Sequence, residues 1–259
     1  MDLGLRGKRA LVTGSTAGIG LAIVKALAAE GATVWINGRT QERVDAALKE
    51  VQGEARGVVA NLSQAAGCDT LFAAVEEIDI LVNNLGIFEN KPFLDIDDAD
   101  WLRFLETNVL SGVRVTRHYL PAMLKQQWGR ILFISSESGV QIPEEMVHYG
   151  VTKAAQIARA RGIAETIPAS GVTVNSLLPG PTESEGVSTL IAKTAKQKGI
   201  STDQVESEFI RDVRPSSLIK RLAKVEEVAA MAAYLCSEQA SATNGAPIRV
   251  DGGVVKSAY

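Results

Sequence analysis

Cysteine and histidine are scarce in this chain, with two of each in 259 residues. Cys68 and Cys236 stand far apart and lack the close spacing of a metal-binding knuckle. That argues against a disulfide framework and a metal site, and for two structural thiols in a reducing compartment. Long apolar runs are absent too. None approaches the roughly 20 residues that cross a bilayer, and residues 1–9 lack the apolar stretch of a secretion signal, so a cytoplasmic location is expected. Neither charge is in great excess. Basic residues number 27 against 30 acidic ones, a formal net charge of −3, and the basic ones are scattered. Nucleic acid and membrane surfaces are therefore not expected partners. What remains is ordinary globular composition, 46% hydrophobic and 22% charged, at a length that one large α/β core can span.

The first half alternates short apolar runs with helical patterns. Residues 9–13 read as a buried strand, residues 21–30 as a helix, and between them lies Gly14-Ser15-Thr16-Ala17-Gly18-Ile19-Gly20. Glycines between a strand and a helix let the backbone turn tightly against a pyrophosphate, which then sits at the positive end of the helix. Ser15 and Thr16 can add hydroxyl contacts to phosphate or ribose. A ligand-free capping turn is the plainer reading of the same glycines. Residues 32–36 form a second strand, and Asn37-Gly38-Arg39-Thr40 follows about 20 residues past the glycines, where a bound dinucleotide presents its adenosine ribose. NAD sites usually hold a carboxylate there. Neutral Asn37 and cationic Arg39 suit a 2′-phosphate better, so NADP is expected over NAD, with a solvated surface arginine as the alternative. A third strand at 57–60 leads to Asn61 and Leu62, placed to meet an adenine edge. A fourth at 79–82 ends in Asn83-Asn84-Leu85-Gly86, where Asn84 and Gly86 suit the floor of a ribose pocket.

In the second half, residues 97–125 read as one long helix with Asn108 near its middle, a poor helix former that marks a local kink or a satisfied core amide. A fifth strand, 131–134, delivers Ser136 to a cleft. Tyr149 and Lys153 then fall one turn apart on one helix face. A free phenol has a pKa near 10, and a nearby ammonium favours the phenolate. A hydroxyl, a phenol and an ammonium that converge can polarise a carbonyl and protonate it, although a Tyr-x-x-x-Lys pair also arises by chance. His118 reads as a packing or interface residue and His148 as a surface residue at a helix start. A sixth strand, 172–178, stops at Pro179-Gly180-Pro181-Thr182, whose backbone can meet a nicotinamide amide. Residues 183–215 are irregular and polar, as in a substrate loop or lid with short helices. A helix at 225–235 and a last strand at 247–250 close the chain.

In this order and spacing the motifs resemble those of the short-chain dehydrogenase/reductase family over essentially the whole length. The match rests on Thr13-Gly14 with Gly18-Ile19-Gly20, Asn83-Asn84-Leu85-Gly86, Asn108, Ser136, Tyr149 with Lys153, Pro179-Gly180 and Asp251-Gly252-Gly253. The chain looks most like the bacterial branch related to 3-oxoacyl-carrier-protein reductases. The resemblance implies a single α/β domain of Rossmann type, a doubly wound seven-stranded parallel sheet with helices on both faces. It implies that Tyr149 is the general acid or base, that Lys153 binds the nicotinamide ribose and lowers the tyrosine pKa, and that Ser136 bonds the substrate oxygen. Asn108 would hold a water that links Lys153 to solvent. It also implies a small-molecule carbonyl or alcohol substrate and a homodimer or homotetramer, the dimer built on the helices bearing Asn108 and Tyr149.

Some positions depart from the family pattern. Leu85 stands where alanine is usual, Asn61 where many members have aspartate, and Pro181-Thr182 crowds the turn from which Thr182 or Ser184 would reach the carboxamide. Residues 138–146 are unusually acidic. Two other functions compete. A dinucleotide-sensing regulator with the same fold has no need of Ser136, Tyr149, Lys153 and Asn108 together. Sugar-nucleotide epimerase chemistry usually needs a substrate domain that this length hardly accommodates.

Overall fold

Runs of branched apolar residues at residues 9–12, 80–83, 129–134 and 172–179 are too short for helices and apolar on both faces, the pattern of strands covered on two sides. The computed structural model, which describes residues 2–258, bears this out. Seven strands form one parallel sheet: β1 (Arg9–Val12), β2 (Thr33–Gly38), β3 (Ala55–Val59), β4 (Ile80–Asn83), β5 (Gly129–Ile134), β6 (Val172–Pro179) and β7 (Pro247–Val250). Their order is β3-β2-β1-β4-β5-β6-β7, so the chain reverses direction across the sheet between β1 and β4. Leu11 pairs with Trp35 on one side and with Leu81 on the other. A crevice opens above such a switch point, at the carboxyl ends of the strands.

Helices cover both faces. On one, α1 (Gly18–Ala29) and α9 (Val225–Leu235) pack their small and branched residues against the sheet, with Ile23, Val24, Leu27, Val228 and Ala232 fully buried. On the other lie α3 (Ala65–Ala74), α5 (Ser111–Gln126) and α6 (Val147–Glu165), with Leu71, Val115, Met123 and Phe133 in the core. Each such side chain contributes roughly 1.5–3 kcal/mol on leaving water. α2 (Gln41–Leu48) completes the β2–β3 crossover and is capped by Thr40, whose Oγ1 accepts from Arg43 N–H. Cys68 and Cys236 are unpaired and buried. Among the described residues no helix is long and apolar enough to cross a membrane.

Two segments differ from the sequence reading. The helix expected over 97–125 is divided: α4 (Asp98–Phe104) runs into a π-helical turn, Leu105–Leu110, and then into α5. Asn108 lies within this turn and is buried. Residues 183–215, expected to be a polar loop or lid with short helices, are helical for most of their length: α7 (Glu185–Lys198), α8 (Thr202–Glu208) and a π turn, Phe209–Val213. Of their apolar residues only Ala195, Val205 and Ile210 are buried. Ser184 and Ser201 cap α7 and α8, each accepting from a first-turn N–H.

Candidate active site

The turn after β1 is shaped for an anion. Gly14 and Gly18 have φ of +59° and +57°, a region that only glycine enters without strain. Gly20 has no room for a side chain, since a Cβ there would lie 2.5 Å from Asn84 Nδ2. Ile19 packs on the core beside it. α1 begins with no side-chain cap and no acidic residue in its first turn. Its leading N–H groups and the positive end of its dipole are thus left for a ligand such as a pyrophosphate. These residues fit a dinucleotide.

The polar side chains around the turn mostly look inward. The expected phosphate or ribose contact of Ser15 is not available from its hydroxyl, which is fully buried, donates to Val12 O at 2.7 Å and accepts Asn37 N–H at 3.1 Å. Asn37, expected to face the ribose, is buried as well. Its Oδ1 accepts from Gly14 N–H at 3.1 Å and its Nδ2 donates to Ala60 O at 3.1 Å. Both brace the turn from behind, because a polar atom buried between strands must find its partner within the protein. Thr16 is half-buried with its methyl group over Gly38. Arg39 leaves the end of β2 exposed and forms no ion pair among the described residues. Asn61 is exposed and accepts from Ser63 Oγ at 2.9 Å, while the Leu62 side chain is core, so an adenine contact there would use the Leu62 backbone. Asn84 stitches β4 to the turn, with Nδ2 donating to Thr13 O at 3.0 Å and Gly14 O at 2.9 Å. After β6, Pro179 is buried and Gly180 N–H donates to Val250 O. Thr182, a candidate for the carboxamide, instead donates its hydroxyl to Gly180 O at 2.8 Å and is buried, closing its own turn.

The catalytic candidates do converge. Ser135 Oγ donates to Lys153 O at 2.8 Å and so fastens α6 to the end of β5. Lys153 Nζ donates to Ile134 O at 2.8 Å and lies 5.5 Å from the Tyr149 ring centre. Gly86 sits beside them, where an added Cβ would be 3.5 Å from Lys153 Nζ and 3.6 Å from Asn108 Oδ1. Asn108 Oδ1 accepts from Ile87 N–H at 2.8 Å, and its Nδ2 donates to Ile87 O at 3.0 Å and to Thr152 Oγ1 at 2.9 Å. Thr152 in turn donates to Tyr149 O at 2.8 Å. The Asn108 carbonyl, expected to hold a water, accepts from Gln156 Nε2 at 2.6 Å.

Glu137 and Glu145, which the sequence leaves as carboxylates that shape substrate entry or are simply solvated, are drawn into the site by Arg214, which it does not single out. The Glu137 carboxylate, buried beside Ser136, accepts a short hydrogen bond from Ser136 Oγ–H and another from Arg214 Nε at 3.2 Å. Arg214 also donates to Glu145 at 3.3 Å. Phe88 meets Tyr149 edge-on, 6.4 Å between ring centres. His148, expected at the surface, is fully buried against Trp101 and Phe104, with neither ring nitrogen partnered. Burial holds its pKa below the usual value. Only the position of Gln156 and Thr152 on the Lys153 face of the helix could have signalled those two.

Electrostatics here are set by burial. It pushes the Tyr149 phenol above its ordinary pKa, and the Glu137 charge adds to that; Ser136 hydrogen bonding and the Arg214 charge oppose it. Burial also brings Lys153 down to about 7, with Arg159 adding and Glu137 opposing. The phenol thus moves opposite to the shift expected from Lys153 alone. The lysine directs a proton at Ile134 O and is itself held near neutrality.

A glycine cradle at a switch point, continuous with a serine, tyrosine and lysine, restricts the relatives this chain can have. A family profile described as Enoyl-(Acyl carrier protein) reductase matches residues 14–255. The chain belongs to the short-chain dehydrogenase/reductase family. Among short-chain dehydrogenases/reductases it is 44% identical to the uncharacterized oxidoreductase YvaG of Bacillus subtilis, over 100% of both chains. It is 37% identical to the 3-oxoacyl-[acyl-carrier-protein] reductase FabG of Aquifex aeolicus, over 98% of this chain and 100% of that one. The L-sorbose reductase of Gluconobacter frateurii, solved with NADPH and L-sorbose, superposes with a TM-score of 0.94 at 30% identity, covering 99% of this chain and 100% of that one. As a short-chain dehydrogenase/reductase the protein is an oxidoreductase of a family that depends on NAD(P).

Proposed function

We propose that this protein interconverts a carbonyl compound and a secondary alcohol, with Tyr149 giving the proton in reduction and taking it in oxidation. The observation that carries the reading is the approach of Tyr149, Lys153 and Asn108 to Gly86, with Ser136 beside the phenol, at the end of the glycine cradle. When bound, the nicotinamide supplies or accepts the hydride at its C4. Gly14, Gly18, Ile19 and Gly20 hold the pyrophosphate by backbone, and Lys153 holds the ribose next to Tyr149. Ser136 bonds the substrate oxygen and steadies the charge that builds there. Tyr149 regains its proton through Lys153 and a water at the Asn108 carbonyl. Arg39, exposed where a carboxylate would favour NAD, supports NADP as the preferred cofactor.

Residues 183–215 act as the lid of the site. Ser184 lies over Gly18, and Arg43 pairs with Glu185 at 2.6 Å across the cleft. Exposed Leu102, Leu110 and Val151 support subunit contact through α4, the π turn after it and α6, hence a homodimer or homotetramer. The unpaired thiols support a cytoplasmic setting. Following reduced-nicotinamide absorbance with NADPH or NADH and a panel of ketones tests the activity. Carbonyl-dependent oxidation is expected, faster with NADPH. Tight cofactor binding without turnover of any carbonyl or alcohol would instead mark a regulator.

A further inference from the structure

Ser136 has one O–H to give, and in this structure it is given to Glu137. The serine oxygen meanwhile accepts from Ser138 N–H at 3.1 Å. To bond a substrate carbonyl, Ser136 must turn its proton away from the carboxylate. Glu137 is only 5% exposed, so water cannot readily replace the lost donor. Its other oxygen is held by Arg214, itself buried and braced by Glu145, which keeps the carboxylate from swinging out. Leaving a buried charged acceptor short of a donor is costly. A simple ketone therefore engages Ser136 at the expense of Glu137. A substrate that carries its own hydroxyl next to the carbonyl removes that cost, because its O–H takes the place at Glu137 that the serine vacates.

Resting on the oxidoreductase reading above, we propose that Glu137, held by Arg214, makes this site selective for α-hydroxy ketones, which are reduced to vicinal diols, over ketones that lack the neighbouring hydroxyl. In reduction the hydride adds to the carbonyl carbon and the Tyr149 proton to its oxygen, giving the diol and oxidised nicotinamide dinucleotide. The substrate hydroxyl stays intact and serves only as the donor to Glu137. Glu137 is thus a specificity residue that acts at the carbon beside the reacting one. Sites built to bond a substrate hydroxyl discriminate strongly against analogues without it, since the protein's own buried group is left unpaired.

The test compares three four-carbon ketones, 3-hydroxybutan-2-one, 1-hydroxybutan-2-one and butan-2-one, in the wild type and in Glu137→Gln. Dissociation constants of 1-hydroxybutan-2-one and butan-2-one, which carry no secondary alcohol to oxidise, are measured calorimetrically with oxidised cofactor present, and kcat/KM of all three is measured with reduced cofactor. In the wild type at least one hydroxy ketone is expected to bind about tenfold or more tightly than butan-2-one, with a larger ratio in kcat/KM. In Glu137→Gln, which keeps the shape but removes the charge, the ratio is expected to fall to within about threefold. Intrinsic reactivity of each ketone is the same in both proteins, so the change in ratio reports on Glu137 alone. Cofactor titration and a thermal melt check that the variant is folded. Equal handling of all three ketones by the wild type, or a preference that survives in Glu137→Gln, would overturn the assignment while leaving the carbonyl chemistry standing. No turnover of any carbonyl compound with either cofactor would remove both.

Discussion

The two ends of the crevice manage their buried polar atoms in opposite ways. Around the glycine turn, Thr13, Ser15, Asn37 and Asn84 bond to backbone and to one another across β1, β2 and β4. These side chains hold a backbone shape, and the shape presents amide N–H groups. Around Tyr149 the bonds are conditional: Ser136 leans on Glu137, Lys153 on a carbonyl, and His148 and the Gln156 Oε1 have no partner. The first region is a fixed mould; the second holds hydrogen bonds it can exchange. Rigidity belongs where a cofactor is gripped, and replaceable partners belong where a proton must move.

The largest expected contrast comes from Lys153→Met. Because burial has brought the lysine down to about 7 from 10.5, the unfolded chain binds one more proton than the native one between those two values. Wild-type stability should therefore rise with pH from about 7 towards 10 relative to the variant, by several kcal/mol, and should carry its full penalty below 7. Chemical denaturation of the two ligand-free proteins at pH 6, 8 and 9.5 measures it; a constant difference would contradict the burial argument. Asn37→Ala strikes the mould instead. It strands Gly14 N–H and Ala60 O, so a loss of ~1–3 kcal/mol, read as a fall in Tm of roughly 2–4 °C per kcal/mol, is expected together with weaker cofactor binding.

Arg39→Ala should leave stability alone and weaken NADPH by about tenfold while sparing NADH, a change that fluorescence titration of both cofactors resolves. Equal loss for both would remove Arg39 from the 2′-phosphate. Arg43→Ala should do least. Its pair with Glu185 is half-exposed on both sides, so under ~1 kcal/mol is expected in a melt. A larger effect would mean that the contact across the cleft mouth is stiffer than its exposure suggests.

Much of this was legible in the sequence, and the rest for physical reasons was not. Glycines between a strand and a helix, and Tyr149 one turn before Lys153, are local patterns, and local patterns survive folding. The direction a side chain faces is not local. Asn37 and Ser15 stand where ligand contacts are made, but neighbouring strands claim their hydrogen bonds first. His148 looked solvated because it stands at a helix start, yet Trp101 and Phe104 from another helix enclose it. Glu137 and Arg214 are 77 residues apart, so their pairing has no sequence signal beyond an acid beside a serine. Helices were expected in 183–215, but not the length of α7, because its apolar face is thin.

The central claim is that cofactor grip and proton transfer are separable, with Tyr149 serving only the second. Tyr149→Phe tests it by pairing a cofactor titration with a turnover assay on one preparation. The account predicts an NADPH dissociation constant within about threefold of wild type and a loss of kcat of about a hundredfold or more. Turnover that survives the loss of the phenol would contradict it.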